Sequence, residues 1–290
     1  MTSTKGGWKA VVLGARGMLG KDLVSHLGKH GEVIPLGRGK ADITDPPAIQ
    51  KILSDHEPLD WVLNSAAYTD VDGAESHPDE AFAVNRDGAA AVAWAASEQG
   101  VRLIHFSTDF VFDGTKDSPY TEKDPARPLG VYGRSKWEGE ELLRKICKEA
   151  IIIRTSWTFG GGRPNFVEKI LNLASKTKEL RVVSDQRGSP TYTADLAGMV
   201  LEFISQRLPG GIYHVTNRGT CTRVEQAEKI LELAGSDSVR VVPVLSDEFP
   251  TPAARPKNSV LGNAVLETRG MPLLRPWEEA LADYLTTRNS

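Results

Sequence analysis

A tyrosine and a lysine four positions apart, Tyr132 and Lys136, are the pair in this sequence best suited to proton transfer. Both lie in a predicted helix from about Leu129 to Lys148, where this spacing directs the two side chains from the same face. A nearby ammonium group favours the tyrosinate and lowers the tyrosine pKa, which suits a phenol that gives a proton to a carbonyl oxygen near neutral pH. The spacing occurs by chance in many helices, so its weight depends on what precedes it.

The segment before this helix supplies a hydroxyl group. A predicted strand from Val101 to Ser107 is followed directly by Thr108 and Asp109. The Thr108 hydroxyl can hydrogen-bond a substrate carbonyl and help Tyr132 to polarise it. Thr and Asp also end strands for purely structural reasons, but the order Thr, Tyr, Lys along the chain favours a shared chemical role.

A glycine-rich turn lies in the first strand-to-helix unit of the chain. It follows a short apolar run ending at Leu13 and precedes an amphipathic segment from Met18 to about His30. Glycines let the backbone approach a pyrophosphate, and a helix N-terminus attracts its charge. The pattern alone is weak, because such glycines can also serve packing. The residues that it places beside a dinucleotide are Gly14, Arg16, Gly17, Met18, Leu19 and Gly20.

The end of the second predicted strand indicates which dinucleotide binds. NAD sites usually carry an acidic residue there, whereas a nearby arginine accommodates the 2′-phosphate of NADP. Here the strand ends Leu36-Gly37-Arg38, with no carboxylate and with Arg16 close by in the glycine turn. This favours NADP(H) and leaves NAD(H) open. Further predicted cofactor contacts are Arg38, then Asp42 and Ile43 near the adenine, Ala66, Ala67 and Tyr68 after the third strand, and Ser107 at the end of the fourth.

Strands and helices alternate along the first half of the chain, which predicts a parallel sheet covered on both faces. After Trp157 the alternation loosens. We therefore predict an α/β protein, with a Rossmann-type doubly wound parallel sheet and a smaller C-terminal α/β substrate-binding domain. The dinucleotide-binding domain is predicted at residues 1–158 plus about 178–217, and the substrate-binding domain at about 159–177 and 218–290, with a cleft between them.

Composition excludes several kinds of partner. A net charge of −3, with scattered basic residues, gives no field for a nucleic-acid backbone. The sequence contains no run of eighteen apolar residues, the length that would predict a membrane span. Its start also lacks the apolar stretch of a signal peptide, so a cytoplasmic location is expected. Cys147 and Cys221 lie far apart without metal-ligand spacing, which predicts neither a disulfide nor a zinc site.

Several longer motifs allow a family resemblance to be stated. They are Ser107-Thr-Asp-Phe-Val-Phe-Asp-Gly114, Val131-Tyr-Gly-Arg-Ser-Lys136, Arg154-Thr-Ser-Trp157, Asp185-Gln-Arg-Gly-Ser-Pro-Thr191 and Pro250-Thr-Pro-Ala-Ala-Arg-Pro-Lys-Asn-Ser259. With these motifs the sequence resembles the extended short-chain dehydrogenases/reductases and, within them, the dTDP-4-dehydrorhamnose reductase family. The motifs span nearly the whole chain, and the last three are far more specific than the glycine turn.

The resemblance implies a reaction and a role for each site residue. Thr108, Tyr132 and Lys136 are expected to be catalytic: Tyr132 donates the proton, Lys136 holds the nicotinamide ribose and tunes Tyr132, and Thr108 binds the substrate oxygen. Tyr132 and Lys136 thus also count as cofactor contacts. The expected reaction is NAD(P)H-dependent reduction of dTDP-4-dehydro-6-deoxy-L-mannose at C4 to dTDP-L-rhamnose. The expected substrate contacts are Val71, Thr108, Asp109, Asn165, Trp157 with its flat apolar face, and Arg255 at the diphosphate.

The sequence departs from the family pattern at three positions. Phe110 stands where a tyrosine is usual, Gly37 replaces an acidic residue, and Arg187 lies within the Asp-Gln-x-Gly segment. Some family members bind magnesium at a dimer contact. Here only Asp22, Glu278 and Glu279 hint at this, so we predict no metal and leave a homodimer open.

Two other functions remain open at this point. A nucleotide-sugar epimerase or dehydratase of the same superfamily would regenerate its cofactor within one cycle. A dehydratase commonly carries Asp-Glu after the threonine, whereas here Asp109 is followed by Phe110. The chain also resembles a regulatory partner of methionine adenosyltransferase, which could bind NADP without catalysis. The presence of Thr108, Tyr132 and Lys136 favours catalysis.

Overall fold

The structure, a computed structural model, describes residues 7–236 and 238–288. The strands are β1 (Lys9–Leu13), β2 (Glu32–Leu36), β3 (Trp61–Asn64), β4 (Arg102–Thr108), β5 (Ile151–Thr155), β6 (Thr158–Phe159), β7 (Glu179–Val183), β8 (Arg187–Gly188), β9 (Thr191–Tyr192), β10 (Gly211–His214), β11 (Asn217–Arg218), β12 (Cys221–Thr222), β13 (Arg240–Val244) and β14 (Leu274–Pro276). The helices are α1 (Met18–Leu27), α2 (Pro46–Asp55), α3 (Val71–Ser76), α4 (Pro78–Phe82), α5 (Ala89–Glu98), α6 (Val131–Ile146), α7 (Phe166–Ala174), α8 (Thr193–Ser205), α9 (Arg223–Leu233), α10 (Ala264–Thr268) and α11 (Trp277–Thr287).

A six-stranded sheet organises the larger part of the molecule, in the order β10-β5-β4-β3-β1-β2. All of its neighbouring strands are parallel. Strand β1 pairs with β2 on one side and with β3 on the other, so the order reverses at this point. Open α/β sheets bind ligands in the crevice that such a reversal creates at the carboxyl ends of the strands. The predicted α/β class with a Rossmann-type parallel sheet is confirmed.

Both faces of this sheet are buried, which explains the continuous apolar runs in its strands. In β1 every residue from Ala10 to Leu13 is inaccessible to solvent. On one face α1 and α8 pack against the sheet, through side chains such as Leu23 and Phe203. On the other face α2, α5 and α6 contribute Ile49, Val92 and their neighbours. The sheet is therefore held rigidly, and its carboxyl edge is a fixed platform for side chains.

A second core lies beyond β5. Strand β7 pairs with β13 and β6 with β9, and α7, α9 and α11 pack together through Val167, Ala227 and Leu281. Of the segment at about 178–217 that was predicted to belong to the dinucleotide-binding domain, β10 joins the large sheet but β7 pairs outside it. Strands β8 and β9 of the same segment also pair outside the large sheet, with β12 and β6. The division into residues 1–158 plus about 178–217 and about 159–177 plus 218–290 stays a prediction.

One helical segment between β3 and β4 is not a regular α-helix. It consists of α4, a π-helical turn at Ala83–Gly88, and α5. Such turns are rare and often lie at functional sites. In the described part of the chain, no helix combines the length and apolar character needed to cross a bilayer.

Candidate active site

The glycine turn packs directly against the loop that follows β3. Gly14 has a φ of 76°, in the left-handed region, and a Cβ there would lie 2.6 Å from the Ala66 amide nitrogen. A Cβ at Gly20 would overlap the Gly14 carbonyl oxygen. Gly17 is the N-cap residue before α1, and among the described residues no side-chain hydrogen bond caps the first turn of this helix. The amides of this turn and the close backbone approach fit a pyrophosphate.

Two arginines border the outer end of this crevice. The stem of Arg16 lies across Gly37, where a Cβ would come within 3.0 Å of Arg16 Cδ. Arg38 is well exposed and lies 3.6 Å from Asp42 and 3.9 Å from Glu80. At such exposure these ion pairs contribute little, so the Arg38 guanidinium is available to an anion. Arg16 is exposed as well. The place where an acidic residue would meet a ribose is thus held by positive charge.

The two residues predicted near the adenine face different ways. Asp42 accepts hydrogen bonds from the amide and hydroxyl of Thr44, at 3.0 and 2.7 Å, and these bonds lower its carboxyl pKa. Ile43 is buried against Gly88 of the π-helical turn. Asp42 therefore orders the loop after β2, while Ile43 anchors that loop to the turn.

A buried asparagine, absent from the sequence prediction, links the β3 loop to α6. The Asn85 side chain accepts from the Tyr68 amide at 2.9 Å and donates to the Tyr68 carbonyl at 3.1 Å and to Ser135 Oγ at 3.0 Å. Ser135 in turn donates to the Tyr132 carbonyl at 2.9 Å. Asn85 lies in the π-helical turn, and a Cβ at Gly139 would overlap its carbonyl oxygen. The segment with Ala66, Ala67 and Tyr68 is thereby fixed relative to Tyr132.

The structure brings Thr108 and Tyr132 together. A hydrogen bond with Thr108 lowers the pKa of the Tyr132 phenol, but burial outweighs it and raises that pKa to about 12. Thr108 Oγ1 donates to Asp109 Oδ1 at 3.1 Å and accepts from the Phe110 amide at 3.2 Å. Ser107, the residue before it, is buried with a hydroxyl that has no partner among the described residues.

The expected lowering of the Tyr132 pKa by Lys136 is a point that the structure corrects. Lys136 Nζ lies 2.7 Å from the Phe106 carbonyl oxygen and 3.2 Å from His105 Nε2, and it is almost fully buried. Burial lowers the pKa of this amine to about 8, against the charge of Glu140. The four-residue spacing on α6 therefore predicted that the two residues share a helix face, but it could not show that burial dominates the pKa values of both Tyr132 and Lys136.

Asp109, Trp157 and Arg223 form the opposite wall. Trp157 has a φ of 46°, an outlier for a bulky residue of the kind that marks functional sites. Its ring packs on Gly188, and the Arg223 guanidinium carbon lies 3.4 Å from the ring centroid. Burial raises the Asp109 carboxyl pKa to about 6, while the positive charge of Arg223 opposes this rise. Asp109 Oδ2 is buried without a partner among the described residues.

Three further predicted substrate contacts lie in different settings. Val71 lines a small cavity beside Tyr132. The Asn165 side chain caps α7 by accepting from the Glu168 amide at 3.2 Å, and its amide group donates to the Gly160 carbonyl at 2.9 Å. Arg255 forms a bidentate ion pair with Asp72, at 2.7 and 3.0 Å. The polar groups of Asn165 and Arg255 are thus engaged within the chain, and their role toward a substrate stays a prediction.

The family pattern that describes an RmlD substrate binding domain matches residues 8–290. The chain belongs to the RmlD family. The spore coat polysaccharide biosynthesis protein SpsK of Bacillus subtilis is 44% identical over 285 residues, which cover 97% of this chain and 98% of SpsK. A dTDP-4-dehydrorhamnose reductase of Mycobacterium tuberculosis is 41% identical over 283 residues, covering 96% and 92%. The structure of dTDP-4-dehydrorhamnose reductase from Bacillus anthracis in complex with NADP has a TM-score of 0.93 at 36% identity, covering 97% of this chain and 99% of that one.

The departures from the RmlD family motifs have local explanations. The Phe110 ring meets the Tyr132 ring edge-on with centroids 5.8 Å apart, so an apolar contact stands where a phenol is usual. The small Gly37 leaves room for the stem of Arg16. Arg187 donates to Thr220 Oγ1 at 3.0 Å, at the surface.

The three acidic residues considered as metal ligands, Asp22, Glu278 and Glu279, lie in other settings in this RmlD family member. Thr193 donates a short hydrogen bond to Asp22. Glu278 and Glu279 lie in the first turn of α11, where negative charge suits the helix dipole. Within residues 7–236 and 238–288, no cluster of three His, Cys, Asp or Glu side chains could hold a metal ion.

Proposed function

We propose that this protein catalyses the NADPH-dependent reduction of the C4 keto group of dTDP-4-dehydro-6-deoxy-L-mannose to give dTDP-L-rhamnose. The observation that carries the proposal is the convergence of Thr108, Tyr132 and Lys136 at the carboxyl end of β4, beside the glycine turn. A relative 41% identical to this chain is named as that reductase, and the solved structure of another contains NADP. NADPH is preferred because Arg16 and Arg38 border the crevice, and NADH remains a possible substitute.

The site residues divide the work of a carbonyl reduction. When bound, NADPH supplies the hydride that C4 receives. Tyr132 gives its phenolic proton to the C4 oxygen, and its raised pKa keeps it protonated until that oxygen becomes basic. Thr108 donates a hydrogen bond to the same oxygen. To do so, its hydroxyl must rotate away from Asp109, its acceptor in this structure. Lys136 holds the nicotinamide ribose.

The substrate is held by the opposite wall. Trp157, with Arg223 stacked on its ring, lines the site toward the deoxysugar, and Val71 closes the side of the site next to Tyr132. Asp109, with its unpartnered buried oxygen, accepts a hydrogen bond from a sugar hydroxyl. Asn165 and Arg255 complete the contacts, with Arg255 at the diphosphate.

The test is to follow the loss of NADPH absorbance with the enzymatically prepared keto sugar, comparing the native protein with Tyr132→Phe. Loss of the general acid should reduce kcat by about 10² to 10⁴, whereas the Kd for NADPH should change far less, because Tyr132 is one of many predicted cofactor contacts. Equal rates in the two proteins would remove Tyr132 as the proton donor. If neither protein oxidised NADPH with the keto sugar, a binding role such as that of a regulatory subunit would replace catalysis. The similarity to named reductases does not favour that role.

A cytoplasmic location and a homodimer belong to the same proposal. The named relatives are biosynthetic proteins, which accords with a reaction where nucleotide sugars are made. Cell fractionation tests the location. Light scattering after size-exclusion chromatography tests the assembly, and a mass equal to that of one chain would rule out the dimer.

A further inference from the structure

His105 is a buried titratable residue that the proposed reaction does not use. It lies on β4 between β3 and α6, with 1% of its surface exposed. Its Nδ1 is 3.2 Å from Asn64 Nδ2, and its Nε2 is 3.2 Å from Lys136 Nζ. Both ring nitrogens therefore face a nitrogen that normally donates, although a neutral imidazole can accept at only one of them.

The orientation of Asn64 decides where the imidazole proton resides. Asn64 Oδ1 accepts a hydrogen bond from the Ala66 amide at 3.2 Å, so the NH₂ group of Asn64 faces His105. An amide NH₂ only donates, and Nδ1 of His105 must therefore accept. The neutral ring then carries its proton on Nε2, and this N–H points at Lys136 Nζ.

An ammonium group cannot accept that proton, because it has three donors and no lone pair. A neutral amine can accept from His105 Nε2 while it donates to the Phe106 carbonyl oxygen at 2.7 Å. The contacts of Lys136 are thus all satisfied in its neutral form. A charged His105 beside it is disfavoured, since burial, followed by the charge of Lys136, holds the His105 pKa well below its usual value.

We infer that Asn64 and His105 are positioning residues for Lys136, which fix the Nε2–H form of the imidazole against its amine and so weaken the hold of Lys136 on its proton. The inference deepens the proposed function and rests on it for its consequence. Because Lys136 is then partly neutral at neutral pH, its charge and its effect on Tyr132 change within the working range.

The other charged groups around Lys136 do not cancel this effect. On α6, Glu140 raises the Lys136 pKa, but it is itself bound to Arg154 of β5 at 2.6 Å in a fully buried ion pair. Tyr132, one turn earlier on α6, keeps its proton. From β3 the uncharged Asn64 faces the His105 ring. His105 is therefore the group to change, because it contacts the Lys136 amine and one substitution at Asn64 can move the proton of its ring.

The experiment is nuclear magnetic resonance of the full-length protein labelled with ¹⁵N in its histidine rings, recorded without substrate. Long-range ¹H–¹⁵N correlations show which ring nitrogen carries the proton. We expect the Nε2–H form for His105, identified by loss of its signals in His105→Gln. His214 is an internal reference, because its Nδ1 lies 3.1 Å from the carbonyl oxygens of both Tyr120 and Gly262 and must carry the proton.

Asn64→Asp reverses the proton position, because a carboxylate accepts from both the Ala66 amide and Nδ1–H. Nε2 then becomes an acceptor for an ammonium, and the titration of Lys136, followed through the His105 Nε2 shift, should move from near pH 8 to higher pH by about one unit. Asn85→Asp is the control for an added buried carboxylate, since the hydrogen bonds of Asn85 go to Tyr68 and Ser135 and not to His105, and it should leave the His105 form unchanged.

Two results would overturn the inference. One is a His105 that is protonated at Nδ1, or at both ring nitrogens, in the native protein. The other is a Lys136 titration in Asn64→Asp that equals the titration in the native protein. None of these readings requires turnover. If they are as expected but no keto sugar is reduced, the proposed function fails while the control of Lys136 by His105 stands. If turnover is seen, the corresponding inflection in kcat should move with the titration.

Discussion

The two walls of the site are built in different ways. On the cofactor wall, Gly14 and Gly20 bring backbone atoms into direct contact, and Asn85 ties the β3 loop to α6 with buried hydrogen bonds. On the substrate wall, Trp157, Arg223 and Arg255 reach the site from separate segments, and all three are only partly buried. The first wall is specified by the backbone and the second by individual side chains.

This difference has a consequence for the effect of mutations. Backbone contacts cannot shift without moving the sheet, so a change on the cofactor wall should lower stability and cofactor binding together. A side chain on the substrate wall can be replaced while the fold remains. Specificity for the sugar is therefore expected to vary through the second wall, and the predictions below separate the two.

Among changes that separate the two walls, the largest effect is expected for Gly14→Ala. Its positive φ and the close Ala66 amide leave no room for a methyl group, so the free energy of unfolding should fall by about 1–3 kcal/mol. NADPH binding should weaken in parallel, as measured by fluorescence titration beside a denaturant curve. Gly39→Ala is the matched control, because no atom lies within 4 Å of a Cβ there. A Gly14→Ala protein that keeps both properties would refute the backbone-built wall.

A change of cofactor preference should be the next largest effect. In Gly37→Asp the new side chain displaces the stem of Arg16 and puts a carboxylate where the 2′-phosphate is expected. We expect the ratio of kcat/KM for NADPH to that for NADH to fall by roughly tenfold or more, a change of about 1.4 kcal/mol. Gly37→Ala, which adds bulk but no charge, separates the two causes. An unchanged ratio in Gly37→Asp would mean that neither arginine contacts the phosphate.

On the substrate wall, Arg223→Gln should alter the pH profile. The positive guanidinium group favours ionised Asp109, whose pKa burial has raised to about 6. Without that charge the carboxyl binds its proton more tightly, so the inflection of kcat/KM near pH 6 should move to higher pH. Arg223→Lys, which keeps the charge but loses the stacking on Trp157, should leave the inflection in place. Movement toward lower pH in Arg223→Gln would contradict the assignment to Asp109.

Sequence reasoning identified the parts of the site that depend on local pattern. The glycine turn, the parallel sheet and the positions of Thr108, Tyr132 and Lys136 follow from short motifs and from the alternation of strands and helices. Asn85 and Arg223 were missed, because one depends on a π-helical turn and the other on a contact with Trp157 far along the chain. The direction of the Tyr132 pKa shift was wrong for the same reason, since burial arises from the whole fold.

The smallest effect should come from the Arg255 and Asp72 pair, and it decides whether Arg255 serves the fold or the substrate. The pair is partly exposed, with 23% and 38% of its side-chain surfaces accessible, so Asp72→Asn should cost at most about 1 kcal/mol of unfolding free energy. If Arg255 binds the diphosphate, Asp72→Asn frees the guanidinium and lowers the KM for the sugar nucleotide, whereas Arg255→Gln raises it. If Arg255 only holds the loop, both substitutions break the same ion pair and should change KM in the same direction. Steady-state kinetics on the two variants therefore distinguishes a binding arginine from a structural one.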